Sequence, residues 1–410
     1  MTETPPLSLF EGYGIEIEYM IVDAESLVVR PICDDLLREI AGDVVSELER
    51  GEIAWSNELA LHVLELKTNG PSPTVVDLAD RFQAEIGAAN AQLEAFGARL
   101  LPTAMHPWMD PAKEVELWPH EHNAIYQSFD RIFNCAGHGW GNLQSTHINL
   151  SFANDDEFAK LHAAVRLVMP LIPALAASSP VAEGAVTGFV DSRLKFYARN
   201  CSRIPSVTGL VIPEPVYSAS EYHQHILGRI YEDLAPFDPA GVLEHEWVNA
   251  RGAIARFDRM ALEIRIVDTQ ECAAADIAVA AAVSACVRAL VQEVWCGWPE
   301  QSEWDHRALA VMLDRSILEG DLAVFDDRRY LRCFGYPESG RVRVGDLWQH
   351  LVETLVAPDE WPNDTRRALG IMLRDGCLGR RIVAAMRDAT LREIYGRLAD
   401  CLAVGEPFAR

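Results

Sequence analysis

Glu16 and Glu18 stand two residues apart in GYGIEIEYMIVD, residues 12 to 23, and on an extended chain such a pair shares one face. At roughly 3.3 Å of rise per residue, their points of attachment lie about 6.6 Å apart. Charges that close repel unless a cation stands between them. Three further stretches repeat the pattern. In LHVLELKT, Val63, Glu65 and Lys67 alternate with Leu64 and Leu66; in QSTHINLSF, Ser145, His147, Asn149 and Ser151 alternate with Thr146, Ile148, Leu150 and Phe152. In ALEIRIVD, Glu263 and Arg265 alternate with Leu262, Ile264 and Ile266.

Each stretch taken alone fits an antiparallel strand with one solvated face. Taken together, the four polar faces are acid-rich and carry a single histidine and a single, well-placed arginine. Carboxylates that converge need cations. Mg²⁺ and Mn²⁺ are satisfied by a few carboxylate oxygens, water and substrate phosphates, and histidine is more at home on Mn²⁺ or Zn²⁺ than on Mg²⁺. His147 therefore reads either as a ligand on such a site or as a phosphate contact.

The elements that would position these residues are legible at low resolution. After NGPSP, Thr74 and Asp77 have capping-box spacing, and Leu78, Phe82, Ile86, Leu93, Phe96 and Leu100 recur at helical intervals, which predicts one amphipathic helix. DIAVAAAVSACVRALVQEVW reads as a second helix, small-faced enough to lie close against a sheet. Its longest apolar run, Ile277 to Val287, is too short for a membrane span. Beyond Pro299 the pattern is helical with polar turns such as DDRRY, GYPESG and APDEWPND, and predicts a scaffold or lid.

The whole chain narrows the function classes. With 36 basic and 61 acidic side chains in 410 residues, the net charge of −25 argues against nucleic acid or an anionic membrane as partner. Nine scattered cysteines without a C-x-x-C pair fit a reducing compartment. The N-terminal MTETPPLSLF lacks the pattern of a secretory signal, so a cytoplasmic protein is expected. There is no G-x-x-x-x-G-K-[ST] loop and no G-x-S-x-G elbow. HEWVN lacks the second histidine of a zinc-protease helix; HEH (His120 to His122) and HQH (His223 to His225) suit surface turns or caps. GHGWGN, residues 137 to 142, is a glycine-rich connection into the His147 strand, either a plain turn or a segment beside a nucleotide.

In order, GIEIEYMIVD, NELALHVLELKT, STHINLSF, FVDSRLKFYARN and WVNARGAIARFDRMALEIRIVD resemble the glutamate–cysteine ligase and carboxylate–amine ligase family, over about residues 10 to 290. The resemblance implies an α+β fold like the catalytic part of glutamine synthetase: an antiparallel half-funnel with a metal-lined face, backed by helices. It implies one catalytic unit over residues 1–410, with a mainly helical C-terminal part from about residue 291. ATP and Mg²⁺ or Mn²⁺ are the implied cofactors, and small-molecule carboxylates and amines the implied substrates, with room for a homo-oligomer. Glu16, Glu18, Glu58, Glu65, His147 and Glu263 would be metal ligands, with His147, Asn149 and Arg265 at the nucleotide. Arg265 would steady the transferred phosphoryl group, and Arg193 and Arg251 would contact substrate or phosphate. Asn149 stands where many bacterial members carry a second histidine. Glu58 and Glu65, seven apart, cannot share a face of one straight strand, so Glu58 is expected on a turn or bulge. The implied reaction joins glutamate to an amino acid through an acyl phosphate. A ligase for a different amine or carboxylate, and a catalytically silent metal-binding regulatory relative, remain open.

Overall fold

The computed structural model of the chain describes residues 5–336, 340–356 and 360–409. Eight strands build one antiparallel sheet: β1 (Tyr13–Asp23), β2 (Glu47–Arg50), β3 (Ile53–Asn57), β4 (Val63–Thr68), β5 (Ala98–Leu101), β6 (Ser145–Ser151), β7 (Ala253–Arg256) and β8 (Ala261–Asp268). Their order is β2-β3-β4-β1-β6-β8-β7, and β5 pairs with the second half of β1 beyond the end of β6. The long central β1 therefore carries neighbours along both edges. Its odd-numbered Ile15, Ile17, Tyr19 and Ile21 are fully buried, each worth roughly 1.5–3 kcal/mol of apolar burial. The period of two leaves Glu16 and Glu18 on the other face. This is the α+β, antiparallel, helix-backed architecture that the sequence implied.

The apolar face is covered by helices. Ala273–Val291 is buried along almost its whole length and packs on β6 and on the helices Ala79–Leu93 and Asp155–Val168. Its alanines shorten the approach, so one helix can lie between a sheet and two partners. The helix-rich stretches Ala273–Val291 and Asp155–Ala176 are long and apolar enough to cross a membrane, and both are buried in the interior.

Two local expectations fail. Thr74 does not cap a helix: a 3₁₀ turn, Val76–Leu78, precedes the α-helix, which starts at Ala79 without a side-chain cap. Nor does the helix reach Leu100. It passes into a 3₁₀ turn, Glu94–Phe96, and stops at Gly97 (φ 61°), after which Leu100 lies in β5. Phe96 and Leu100 keep helical spacing by coincidence, because a left-handed glycine resets the chain between them.

The C-terminal helices Val344–Leu355 and Asn363–Asp375 pack on Ala273–Val291, and Leu391–Val404 packs on β5 and Ala79–Leu93. Asp327 caps the helix Arg328–Cys333, so DDRRY is a helix start rather than a plain turn. GYPESG and APDEWPND lie partly outside the described residues.

Candidate functional site

Strand register brings the polar residues together. Glu16 lies opposite His147 on β6 and opposite Lys67 on β4; Glu18 lies opposite Glu65; Glu263 lies opposite Asn149. Cross-strand partners of this kind have Cβ atoms about 5 Å apart, so the four strands place one row of functional groups across the sheet. The row forms the floor of a cleft of about 1480 Å³. No described residue beyond Arg265 lines it, so the C-terminal helices reach the cleft only through the sheet they support.

At the centre, one ligand atom each from Glu16, His147 and Glu263 lie within 4.8 Å of one another. His147 Nδ1 is 3.0 Å from Glu16 Oε2 and 3.6 Å from Glu263 Oε1. The other oxygen of Glu16 accepts from Asn149 Nδ2 at 3.1 Å. Arg265 donates to Glu263 through Nε at 3.0 Å and also through Nη2. Burial pushes the Glu16 carboxyl up, but the hydrogen bond and charge of His147, with Lys67 and Arg265, hold it at about 2. Burial opposes charge on His147, yet its Glu16 hydrogen bond and the charges of Glu18 and Glu263 raise it above the ordinary imidazole value.

A second group of acids lies toward the other end of β1. Glu18 accepts from the Ser145 amide at 2.8 Å, and Glu65 accepts from Ser56 Oγ with Lys67 Nζ at 3.4 Å. Glu58 sits past the end of β3, outside any strand, as the spacing of seven demanded. Burial, Glu18 and Glu65 push Glu58 well above the usual carboxylate range. Burial and the Glu16 charge carry Glu65 to about 7, against Lys67 and Ser56. Burial also raises Glu18. These crowded carboxyls and the imidazole make a donor set that fits a divalent cation: oxygen-rich, with one nitrogen and more negative charge than the neighbouring side chains neutralise.

The three arginines separate. Arg265 lines the cleft with its guanidinium beside the Tyr197 hydroxyl. Arg193 also lines it but is 1% exposed; its Nε donates to Asp268 at 2.6 Å, and Nη1 and Nη2 each donate to the Arg265 carbonyl at 3.3 Å. Arg251 does not reach the cleft. It forms a two-point pair with Glu214 at 2.6 and 2.8 Å and donates to the Ser206 carbonyl and Asn249 Oδ1 at 3.0 Å each, which is a structural role.

Alternation could not locate Asp268. Between Ile264 and Val267, β8 holds one extra residue, so Val267 faces Thr146 and Asp268 faces Ser145. The bulge reverses which face each later side chain takes. It turns Asp268 from the expected apolar face to the cleft side, where it binds Arg193 and accepts from the Ser178 amide and Ser179 Oγ, both at 2.8 Å. GHGWGN folds as a single helical turn, His138–Gly141, that puts Trp140 in the cleft wall. His120 bonds Asp34 at 2.8 Å, and His223 to His225 are exposed.

The sequence profile of glutamate–cysteine ligase family 2 (GCS2) matches residues 13–329. An uncharacterised protein of Archaeoglobus fulgidus is 38% identical over 281 residues, 68% of this chain and 75% of its own length. The provisionally named glutamate–cysteine ligase 2-1 of Nocardioides sp. is 25% identical over 301 residues, 72% of each chain. A similarly named protein of Rubrobacter xylanophilus is 27% identical over 198 residues, 47% of this chain and 49% of its own length, so the match spans about half of that relative. In fold, the chain is similar to the glutamate–cysteine ligase of Francisella tularensis, solved in complex with AMP, at TM-score 0.58 and 13% identity over 96% of this chain and 88% of that one. The profile match over most of the chain, together with a sheet whose polar face gathers the acids, histidine and arginine of its ordered motifs, makes this chain a member of glutamate–cysteine ligase family 2.

Proposed function

We propose that the protein is an ATP-dependent carboxylate–amine ligase that activates a carboxylate, glutamate in the family's namesake reaction, as an acyl phosphate and passes it to an amine. One observation carries the reading: Glu16, His147 and Glu263 converge within 4.8 Å beside Arg265, on the floor of a cleft large enough for a nucleotide and two small substrates. Glu16, His147 and Glu263 would hold one divalent cation, and Glu18, Glu58 and Glu65 offer oxygens for a second. A bound cation supplies Lewis-acid polarisation of the phosphoryl oxygens and neutralises their charge. The chain's own part is orientation. Arg265, drawn toward Glu263, presents a planar fork to the equatorial oxygens of the phosphoryl group in transfer. Asn149 fixes Glu16, and Ser145 fixes Glu18, so neither carboxylate has to reorganise as charge moves. The bulge in β8 sets where Arg265 points, and Arg193, bonded to the Arg265 carbonyl, holds that bulge.

ADP release by the purified chain, measured with Mg²⁺, ATP and paired panels of carboxylates and amines, tests the proposal. Turnover that requires both a carboxylate and an amine is expected. ADP release with neither, or none with any pair, would remove the ligase reading and favour a silent relative.

A further inference from the structure

One wall of the cleft is built mainly from aromatic side chains. Beyond Glu18 the lining is aromatic: Tyr126 and Phe129 from the helix Asn123–Phe133, Trp140 from the one-turn helix, Leu143, and Trp247 from the 3₁₀ turn Glu246–Val248. The Phe129 ring centroid is 5.0 Å from that of Trp140 and 5.9 Å from that of Trp247. Asn57 donates to the Tyr126 hydroxyl at 3.1 Å, which ties this wall to the residue beside Glu58. Tyr126, Trp140 and Trp247 are only half-buried, so they meet the cleft.

The wall is rigid. Trp140 Nε1 donates to the Asn200 carbonyl at 3.2 Å. Its flanking glycines cannot be replaced without movement: a Cβ on Gly139 would lie 2.9 Å from Asn200 Cβ, and one on Gly141 2.2 Å from a Val115 methyl. A fixed aromatic surface binds without paying for its own ordering.

An amino-acid acceptor brings a carboxylate that needs a cation. Among the described residues, the lysine and arginines that line the cleft are Lys67, Arg193, Arg256, Arg259 and Arg265, and each already faces a carboxylate: Glu47 and Glu65 for Lys67, Asp268 for Arg193, Asp258 for Arg256 and Arg259, and Glu263 for Arg265. The exposed His122 also lines the cleft. Aromatic faces, by contrast, favour a flat apolar body and attract an ammonium.

We infer that the acceptor of this ligase is an aromatic primary amine that carries no carboxylate of its own. The inference rests on the ligase reading above. The ammonium gives one proton to water; its nitrogen then attacks the acyl carbon, the C–N bond forms, the C–O bond to phosphate breaks, and the second proton leaves with the phosphate.

The test is ADP release by the full chain with ATP, Mg²⁺ and glutamate, comparing 2-phenylethylamine and tyramine with cysteine and n-butylamine. The aromatic amines should exceed both others at least tenfold in kcat/KM. Trp140→Ala should reduce that preference at least fivefold, Trp140→Phe should largely keep it, and Trp247→Ala provides a second position should Trp140→Ala not fold. A preference for cysteine, or one unchanged in Trp140→Ala and Trp247→Ala, overturns the inference and leaves the ligase reading standing. If no acceptor supports turnover with glutamate, the ligase reading passes to the panel of other carboxylates, and intrinsic tryptophan fluorescence decides the acceptor site by itself. A saturable change with 2-phenylethylamine that is weakened in Trp247→Ala supports an aromatic-amine site, and no change overturns it.

Discussion

Glu16 and Glu65 lie on adjacent strands of the same cleft, and burial acts on both in the same sense, yet one carboxyl is held at about 2 and the other is carried to about 7. The difference lies in the partners. Glu16 has His147 at 3.0 Å and Asn149 at 3.1 Å, whereas Glu65 meets the charge of Glu16 and, directly across β1 and β4, that of Glu18, and like charges oppose each other. The central group of Glu16, His147 and Glu263 therefore contains part of its own counter-charge. The outer group of Glu18, Glu58 and Glu65 has less: Lys67, 3.4 Å from Glu65, is shared with Glu47, and His147 lies 3.8 Å from Glu18, so a cation would complete the group.

The largest effect expected from this contrast is on metal dependence. Excess chelator should stop ADP release entirely, and Mg²⁺ or Mn²⁺ should restore it; full activity in chelator would mean that the outer acids are merely a solvated face. Next comes Arg265→Lys, which keeps the charge but loses the fork. Turnover should drop about 100-fold or more, the size of effect seen when a group that stabilises transition-state charge is lost, while circular dichroism stays native. An unchanged rate would place the phosphoryl group elsewhere.

How far the sequence reaches into this site depends on whether the information is local. The two faces of β1, β4 and β6 follow from alternation over a few residues, so the near neighbours of Glu16, Glu65 and His147 in the chain are enough to assign them to the polar face. Glu58 is legible as a turn residue from parity alone. The bulge in β8 is not: one inserted residue leaves Leu262, Ile264 and Ile266 in alternation while moving Asp268 to the other face. Arg251 resembles a substrate contact because its partner, Glu214, lies 37 residues earlier and no periodicity links the two. The aromatic wall is less legible still. Tyr126 and Phe129 have helical spacing, but Trp140 and Trp247 come from separate turns that only the tertiary fold brings beside them.

Stability of the metal-free protein probes the two groups without reference to turnover. Glu16→Gln breaks a half-buried, hydrogen-bonded charge pair and should destabilise by about 1–3 kcal/mol. Glu65→Gln removes a carboxyl that the fold disfavours in its charged form and should leave stability level or raise it. Urea unfolding in the presence of chelator would measure both. Equal losses from the two substitutions would show that the outer acids carry compensating partners after all.

The smallest expected effect is in pH, and it follows from the same shift. Glu65 titrates near 4.5 in the unfolded chain and about 7 in the folded one, so between those values the folded state holds the extra proton. Metal-free stability should then fall as pH rises through this window and level off above it, because linkage favours the state that binds more protons at the lower pH. Raised Glu18, Glu58 and His147 act in the same direction. Glu16 acts in the opposite one: held at about 2, it stabilises fully above pH 4.5 and loses that contribution only as pH falls toward 2, outside the window. Comparing the protein with Glu65→Gln between pH 5 and 8 isolates the Glu65 part, and the variant's decline should be shallower. Saturating Mn²⁺ should flatten the decline of the unmodified protein, since a bound cation stabilises the charged carboxylates and makes their protons unnecessary. A decline of equal slope in both proteins would detach Glu65 from the charge-starved group and leave Glu18 and Glu58 to define it.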